Sequence, residues 1–406
     1  MKLYLVLAWR NIWRNKRRTL LAASSIFFAI VLAIFTRAIQ HGTYDYMIDS
    51  AVRMFTGYLQ VHGKDYWEER SLEKAINYNP ELLKRIEKVN YVELAVPRLE
   101  NFLLISSKEI TKVTSIIAIE PEKENRMTKL EQKLINGRFL NDNDEGILIS
   151  EGLAKMLNVN VGDSVVLYGQ GIYGITAAAN YPIIGIVKFA LPDLNNSLTY
   201  IPLKFGQSLF SMENQITTIS IIINNPKKLN YVLTEVKKII GADYNVMTWQ
   251  EMMPELVQGI QLDSVSGLIM LFILYLVIAF GIFGTVMMMT AERTKEFGIL
   301  ISVGVKKSRL IIITTLEAIF ISLIGAVSGI VISIPMIIYF HNNPVRFSGE
   351  LAEISLKFGV EPIIPVSNDF GIIIAQTSVV LLIALLSSLY AVNYIRKLKP
   401  IEAIRI

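Results

Sequence analysis

The chain has 406 residues, of which 52% are hydrophobic and 18% are charged, and its formal net charge is +5. This composition is more apolar and less charged than that of a soluble globular protein of similar length. The sequence holds no cysteine, which excludes disulfides, thiolate metal sites, cysteine nucleophiles and lipid-modified cysteines.

Four apolar stretches are long enough for a helix to cross the hydrocarbon core of a membrane, which takes roughly 20 residues. They lie at residues 20–40, 267–290, 310–340 and 371–394. We expect the first span to be an uncleaved anchor, because a long basic leader precedes it and no small-x-small cleavage site follows Ile34.

Basic residues flank the spans unevenly, and the positive-inside rule converts this asymmetry into an orientation. The leader 1–19, the loop 291–309 and the tail 395–406 are rich in lysine and arginine, whereas the loop 341–370 is acidic. We therefore expect both termini to be cytoplasmic and residues 41–266 to lie outside the cytoplasm.

The segment 41–266 is long enough for a large domain, and its mixture of patterns predicts an α+β fold. Residues 38–266 hold 22 Lys or Arg and 27 Asp or Glu, and this mild acidity argues against nucleic-acid binding. Runs rich in β-branched residues predict strands at 58–62, 113–119, 164–168, 183–187 and 217–223. Helices are predicted at 80–89, 150–157 and 227–240.

Three further segments of this region have weaker patterns. Residues 169–180 are predicted to form a hairpin tip or an exposed loop. Residues 44–55 and 252–266 flank the large domain and either extend the first and second spans as stalks or form disordered linkers.

Motifs for catalysis or metal binding are lacking from the sequence. No phosphate-binding G-x-x-x-x-G-K-[ST] loop and no G-x-S-x-G elbow occurs. The histidines His41, His62 and His341 are scattered, so no metal site is predicted. We expect a protein that is not an enzyme and binds no cofactor itself.

Ionisable and small residues within the spans point to helix contacts. Arg37 lies at the outer end of the first span, where it either reaches the interface or contacts cargo. Glu317 needs a protein interior or a basic partner such as Arg309 or Lys16. Gly325 and Gly329 form a G-x-x-x-G step for close helix packing, either within the chain or between subunits.

Three dispersed motifs resemble those of the FtsX-like permeases, which include macrolide-efflux and lipoprotein-releasing permeases. The segment Glu292 to Val305 is similar to E-R-T-x-E-I-G-x-L-x-A-L-G-A, with Ser302 and Val305 in place of alanine. The basic amphipathic leader Ala8 to Thr19 resembles the N-terminal helix of the family, and Pro400 to Arg405 resembles its P-x-E-A-L-R ending.

The large domain adds to this resemblance. Residues Gly57 to Tyr66 are similar to the G-x-I-Q-I-H-x-x-G-Y segment of lipoprotein-releasing members, with Asp65 in the glycine position. Residues Ile119 to Glu122 and Gly146 to Asp163 resemble the G-I-x-P and V-G-D segments of the family, with Ala118 and Ser150 in place of frequent glycines.

The resemblance implies mechanotransmission in the bacterial inner membrane. A separate ABC ATPase dimer would bind ATP and Mg²⁺, and a short coupling helix in the loop 291–309 would follow its motion. Candidate coupling residues are Glu292, Arg293, Glu296, Gly298 and Gly304. Because four spans are few for a transport machine, we expect a dimer with an identical or related permease.

The resemblance also implies an amphipathic cargo, foremost a lipoprotein extracted from the membrane. Efflux of drugs, peptides or lipids, and non-transporting regulation of a cell-wall hydrolase, stay open. An outer domain with exposed apolar residues favours cargo handling, whereas a polar surface favours signalling. Candidate residues of a cargo gap, which would also contact membrane lipid, are Ile39, Met47, Leu256, Ile260 and Leu262.

Overall fold

The computed structural model describes residues 2–14, 16–108, 110–189, 191–350, 352 and 362–399. The ending motif Pro400 to Arg405 lies outside the described residues. The chain divides into two compact units. We name residues 1–46, 259–346 and 363–406 the membrane unit, and residues 47–258 with 347–362 the large domain.

Most strands lie between residues 59 and 248, and the longest helices lie on either side of this region. The helices are α1 (Lys2–Arg14), α2 (Lys16–Met54), α3 (Tyr66–Glu69), α4 (Pro80–Glu87), α5 (Pro121–Thr128), α6 (Glu151–Leu157), α7 (Pro192–Asn195), α8 (Leu203–Leu209), α9 (Leu229–Ile240), α10 (Trp249–Met252), α11 (Pro254–Glu292), α12 (Thr294–Ser302), α13 (Lys307–Asn342) and α14 (Phe370–Lys397). The strands are β1 (Leu59–Gly63), β2 (Ile76–Asn77), β3 (Val92–Ser107), β4 (Ile110–Ile119), β5 (Leu134–Gly137), β6 (Ile147–Ser150), β7 (Ser164–Gln170), β8 (Thr176–Val187), β9 (Leu198–Pro202), β10 (Gln215–Ile216), β11 (Thr218–Ile223), β12 (Tyr244–Thr248), β13 (Val345–Arg346) and β14 (Ile363–Ile364).

Four of the helices, α2, α11, α13 and α14, are long and apolar enough to cross a membrane. This confirms the prediction of four spans with a large domain inserted after the first. The ends of α14 show why the sequence folds this way: the Asp369 side chain accepts a hydrogen bond from the Gly371 backbone at its start. Arg396 and Lys397 lie in its last turn, where cations favour the helix dipole.

The core of the membrane unit consists of small and branched apolar side chains. Ala29, Ala33 and Ile30 of α2 are buried against residues of α11, α13 and α14. Alanines at this spacing lie on one helix face and let the neighbouring backbones approach. The helix α13 continues through Pro335.

The large domain is built on one ten-stranded sheet, and part of this sheet closes on itself. The strands run in the order β12-β1-β11-β3-β4-β9-β6-β8-β5, and β7 pairs with both β3 and β8. The pairings β3-β4-β9-β6-β8-β7-β3 therefore form a closed ring of six strands. We name these six strands the strand ring.

The long strand β3 is absent from the sequence prediction. Pro97 lies inside it, and a proline within a run argues against a central strand. In the structure, Pro97 pairs with β11, and the ladder with β4 begins only at Arg98. Arg98 and Glu100 also interrupt the apolar pattern, although the side chain of Arg98 is buried.

Smaller differences concern element bounds. The predicted loop 169–180 was too long, because β7 extends to Gln170 and β8 begins at Thr176. The cross-strand partners Gln170 and Thr176 leave only five residues at the tip of this hairpin. Asn195 is the last residue of the short helix α7.

Candidate functional site

The coupling segment, residues 291–309, folds as a short helix between two corners. The helix α11 ends at Glu292, and Arg293 leaves helical geometry with φ −92° and ψ 0° before α12 begins. Gly304 has φ +99°, a left-handed conformation that favours glycine, and it turns the chain towards α13. Gly298 is buried within α12 itself, and the coupling role of both glycines stays a prediction.

One face of α12 is anchored to the membrane unit. Phe297 is 1% exposed and packs in an apolar cluster with Leu310, Ile395 and Leu398. The Thr294 hydroxyl lies 3.0 Å from the hydroxyl of Tyr394. These contacts hold α12 against α13 and α14.

Three apolar side chains of α12 and its C-terminal corner are exposed. Ile299 is 48% exposed, Leu300 is 39% exposed and Val303 is 80% exposed. An anchored helix with exposed apolar side chains is suited to pack against another protein.

Beneath the coupling segment, a carboxylate is buried inside the membrane unit. The Arg293 guanidinium pairs with Glu317, which is 4% exposed, and the Asn11 side-chain amide donates a hydrogen bond of 2.6 Å to the same carboxylate. Arg293 also lies 5.1 Å from the centre of the Phe297 ring. A buried charge is costly unless it is paired and hydrogen-bonded, and Glu317 meets both conditions.

Glu317 is buried and has a basic partner, as predicted, but that partner is neither Arg309 nor Lys16. Arg309 precedes Glu317 by eight residues on α13, about two turns or 12 Å along the helix, which leaves the two side chains at different levels. Arg293 reaches the carboxylate instead, because the corner after α11 directs it into the membrane unit. No pattern in the sequence indicates this contact, since it depends on how α11 packs on α13.

The two acidic candidates of the coupling segment contact the basic leader. Glu292 forms an ion pair of 2.8 Å with Arg18, and Glu296 forms one of 3.3 Å with Arg14. Glu296 also lies 3.4 Å from Arg293. The acidic side chains are 40% and 44% exposed, so these pairs stabilise the fold only weakly. Their proposed role towards an ATPase stays a prediction.

At the other end of the spans, a chain of hydrogen bonds joins α2 to α11. Arg37 donates to Gln40 at 2.5 Å, Gln40 donates to the Tyr44 hydroxyl at 2.9 Å, and Tyr44 donates to Asp263 at 2.6 Å. Sequence reasoning missed this hydrogen-bond chain, because Asp263 lies 219 residues from Tyr44. Arg37 therefore has a structural partner within its own helix.

The glycine step of α13 packs within the chain. A Cβ atom added at Gly325 would lie 2.7 Å from the carbonyl oxygen of Ala23, and one at Gly329 would lie 3.0 Å from Ile30 Cγ2. Both positions therefore allow close approach of α13 to α2. In contrast, a Cβ atom at Gly281 or Gly284 of α11 would meet no atom of the described residues within 4 Å.

The five candidates for a cargo gap have different surroundings. Ile39 packs against the core of the membrane unit, whereas Leu256 packs against the core of the large domain. Met47 and Ile260 are half-buried, and Leu262 is 72% exposed. A common gap for these residues stays a prediction.

The large domain carries an exposed apolar strip on the strand ring. Leu104 of β3 lies opposite Val113 of β4 and opposite Tyr168 of β7. Phe102 and Val166 lie on the same faces of their strands, two residues along the chain from Leu104 and Tyr168. The exposed fractions of Phe102, Val113 and Tyr168 are 65%, 61% and 54%. We name these five residues the apolar strip.

A cavity of about 430 Å³ also opens in the large domain. The Arg70 guanidinium stacks 3.8 Å from the centre of the Trp67 ring at its wall. Burial raises the pKa of the Glu100 carboxyl above its usual range, although nearby Arg98 acts in the opposite direction. Arg98 itself is held by Glu124 at 2.6 Å, a fully buried ion pair that closes one side of this cavity.

Two family models match the chain, and together they cover most of it. The model of the MacB-like periplasmic core domain matches residues 19–239. The model of the FtsX-like permease C-terminal segment matches residues 268–400.

Curated relatives share about one fifth of the residues. An uncharacterized ABC transporter permease of Methanocaldococcus jannaschii is 22% identical, and the match covers 80% of this chain and 82% of the relative. The lipoprotein-releasing system transmembrane protein LolC of Neisseria meningitidis is 20% identical, with 80% of each chain covered. The macrolide export ATP-binding/permease protein MacB of Mannheimia succiniciproducens is 22% identical, and the match covers 79% of this chain and 50% of the relative.

Proposed function

Because the chain belongs to the family of ABC transporter permeases that combine a MacB-like periplasmic core with an FtsX-like C-terminal segment, we propose that it transmits the ATP cycle of a separate ATPase dimer to the large domain. It is a multi-pass protein of the inner membrane. Within this proposal, ATP and Mg²⁺ bind to the ATPase, and this chain supplies the moving parts.

The observation that carries this proposal is the structure of α12. Phe297 fixes α12 to the membrane unit, and Ile299, Leu300 and Val303 present apolar surface to a partner. The helix α11, which ends one residue before α12, has 39 residues and is about 58 Å long. When ATP closes the ATPase dimer, displacement of α12 moves α11 with it.

Substitution of the exposed side chains of α12 tests the contact with the ATPase. Val303→Glu together with Leu300→Glu places charges on the proposed contact surface, so the ATPase should no longer copurify and its stimulation by the permease should be lost. The control is Tyr173→Glu, which changes an aromatic residue of the large domain that is 74% exposed. Normal ATPase binding by the doubly substituted chain would refute the proposed coupling surface.

For the cargo, we propose a lipoprotein taken from the outer leaflet of the inner membrane. The similarity to LolC supports this choice, since the name of that relative describes a lipoprotein-releasing system. The apolar strip also supports cargo handling, because exposed Phe102, Val113 and Tyr168 offer a surface for acyl chains. Export of another amphipathic molecule is the second candidate, and the similarity to MacB favours it.

Release of lipoprotein from vesicles containing the permease and its ATPase tests the cargo. Phe102→Ser with Val113→Ser should lower lipoprotein release at least tenfold while ATP turnover stays normal. The control Tyr231→Ser alters an aromatic side chain of α9 that is 43% exposed. Full release by the doubly substituted chain would exclude the apolar strip from cargo handling.

Photocrosslinking distinguishes the candidates for the cargo gap. Lipoprotein adducts at Met47 and Ile260 in cells, lost when the ATPase is trapped with ATP, support extraction along these helices. Adducts to a second permease alone would assign both positions to the subunit contact. In that proposed dimer, the exposed face of α11 around Gly281 and Gly284 is available to the partner permease.

A further inference from the structure

A basic cavity lies beside the corner between α1 and α2. Its volume is about 520 Å³, and it lies within the membrane unit. Four basic side chains and one acidic side chain line it. They are Arg14, Lys16, Arg17, Arg18 and Glu292. The cavity therefore has an excess of positive charge that suits an anionic ligand.

Arg18 lines this cavity, and two of its three side-chain nitrogens have no hydrogen-bond acceptor among the described residues. Its Nη2 atom pairs with Glu292 at 2.8 Å, whereas Nε and Nη1 are shielded from solvent and have no hydrogen-bond partner among the described residues. Unsatisfied buried donors of a charged group are costly. The two donors belong to one planar guanidinium, which matches the geometry of two phosphate oxygens.

The rest of the wall is apolar and faces away from this chain. Leu21 is 63% exposed and Met288 is 58% exposed, and both lie on helices that are long and apolar enough to span a membrane. Trp13 lines the cavity and is 52% exposed. Tryptophan with neighbouring basic residues is typical of the level of the lipid headgroups.

We propose that this cavity binds the headgroup of an anionic phospholipid. The phosphate lies near Lys16, Arg17 and the guanidinium of Arg18, and the acyl chains follow Leu21 and Met288. Free inorganic phosphate shares the chemistry of the headgroup. It makes no use of the apolar wall, which is why the structure favours a lipid.

Native mass spectrometry of the full chain, titrated with phosphatidylglycerol or phosphatidylcholine, tests this site. The wild type should retain phosphatidylglycerol in preference to phosphatidylcholine. Lys16→Gln with Arg17→Gln should weaken phosphatidylglycerol binding about 25-fold, because each basic residue near an anionic lipid contributes a factor of about five. Neither Lys16 nor Arg17 forms an ion pair with another described residue, so the doubly substituted chain should keep its fold.

The matched control is Lys2→Gln with Arg10→Gln, which removes two exposed charges of α1 outside the cavity. It should leave phosphatidylglycerol binding within about twofold of the wild type. A second variant, Arg18→Lys, keeps the charge that faces Glu292 but loses the guanidinium, and it should also release the lipid.

Three outcomes would overturn the proposal. If the Lys16/Arg17 variant and the Lys2/Arg10 variant lost phosphatidylglycerol binding equally, the lipid would be attracted to the basic surface in general. Equal retention of phosphatidylglycerol and phosphatidylcholine would show no recognition of charge. Displacement of the bound lipid by millimolar inorganic phosphate would assign the cavity to the free anion.

Discussion

Glu292 and Glu296 each have two possible roles, one towards an ATPase and one within this chain. In the resemblance to FtsX-like permeases they are candidates for ATPase docking, and in the structure they pair with Arg18 and Arg14. Exposed ion pairs contribute about 0–1 kcal/mol to stability. Loss of these pairs should therefore leave the protein folded, and a large functional effect would have another cause.

Reversal of these charges gives a direct test at the residue scale. Glu292→Lys with Glu296→Lys should abolish permease-stimulated ATP turnover without preventing membrane insertion. Adding Arg14→Glu and Arg18→Glu restores opposite charges within the chain, and we expect turnover to stay lost if the acids contact the ATPase. Recovery in the quadruple variant would instead assign the acids to holding α1, and unchanged turnover in the double variant would contradict the coupling role.

The surroundings of His62 predict that the stability of the large domain depends on pH. Burial lowers the pKa of His62 below its ordinary value of 6.5, and nearby Arg70 acts in the same direction. The unfolded chain then binds more protons than the folded one below pH 6.5, so folding stability is complete above this pH and falls as the pH drops towards the lowered pKa. The expected slope in that window is about 1.4 kcal/mol per pH unit.

Hydrogen exchange of the full chain at pH 7 and pH 5 measures this effect. After correction for intrinsic exchange rates, β1 and its neighbours β11 and β12 should lose protection at pH 5 in the wild type. The His62→Gln variant should show a smaller change, and the difference between the two chains removes the contribution of other groups such as Glu100. Identical pH dependence in both chains would mean that His62 is not responsible.

For single residues, the sequence predicted that a buried carboxylate needs a basic partner, but it did not predict which residue that partner is. Glu317 was expected to require a basic partner because a lone carboxylate in a span is costly. The identity of that partner, Arg293, depends on a corner between α11 and α12 and on the packing of α13. Such contacts arise from tertiary structure, so one sequence without its fold does not reveal them.

The close packing of α13 on α2 depends on the glycines Gly325 and Gly329. Gly325→Ala adds a methyl group 2.7 Å from the Ala23 carbonyl oxygen and 2.8 Å from Ile26 Cβ, so α2 and α13 must separate. Overpacking of this kind costs about 1–3 kcal/mol. Thermal unfolding in detergent should show a lower melting temperature.

The matched control for this substitution is Gly259→Ala on α11, outside the proposed dimer face. A methyl group there meets no atom within 4 Å in the part of the chain that the structure describes, so stability should be unchanged or slightly higher. Equal destabilisation by the two substitutions would show that the packing of α13 on α2 is not the cause.

Elements with a strong periodic signal were predictable, and those with conflicting signals were not. The four spans were found because a long apolar run has few other interpretations. The strand β3 was missed because proline and arginine are more typical of a loop than of a central strand. In the structure, hydrogen-bonded pairing with β11 and β4 holds Pro97 and Arg98 in the strand despite these preferences. The apolar strip was missed for a related reason: Phe102 to Ile105 is apolar on both faces, as in a fully buried strand.

For the whole molecule, orientation in the membrane is the property that labelling can test. The basic residues of the leader, the coupling segment and the tail predict that all three are cytoplasmic. A cysteine introduced at Asn195 should react with an impermeant reagent in intact cells, and one at Lys307 should be protected. The native chain has no cysteine, so each variant carries a single reactive thiol. The opposite labelling pattern would invert the proposed topology.

The strand ring also determines how the large domain responds to force. In an open sheet, one edge strand can slide after a single ladder of hydrogen bonds breaks. In the strand ring, each strand is bonded on both sides, so sliding of any one of the six requires two ladders to break together. Strain applied through the domain should therefore rotate the ring as a stiff body, and deformation should concentrate in the strands outside it, β12, β1, β11 and β5.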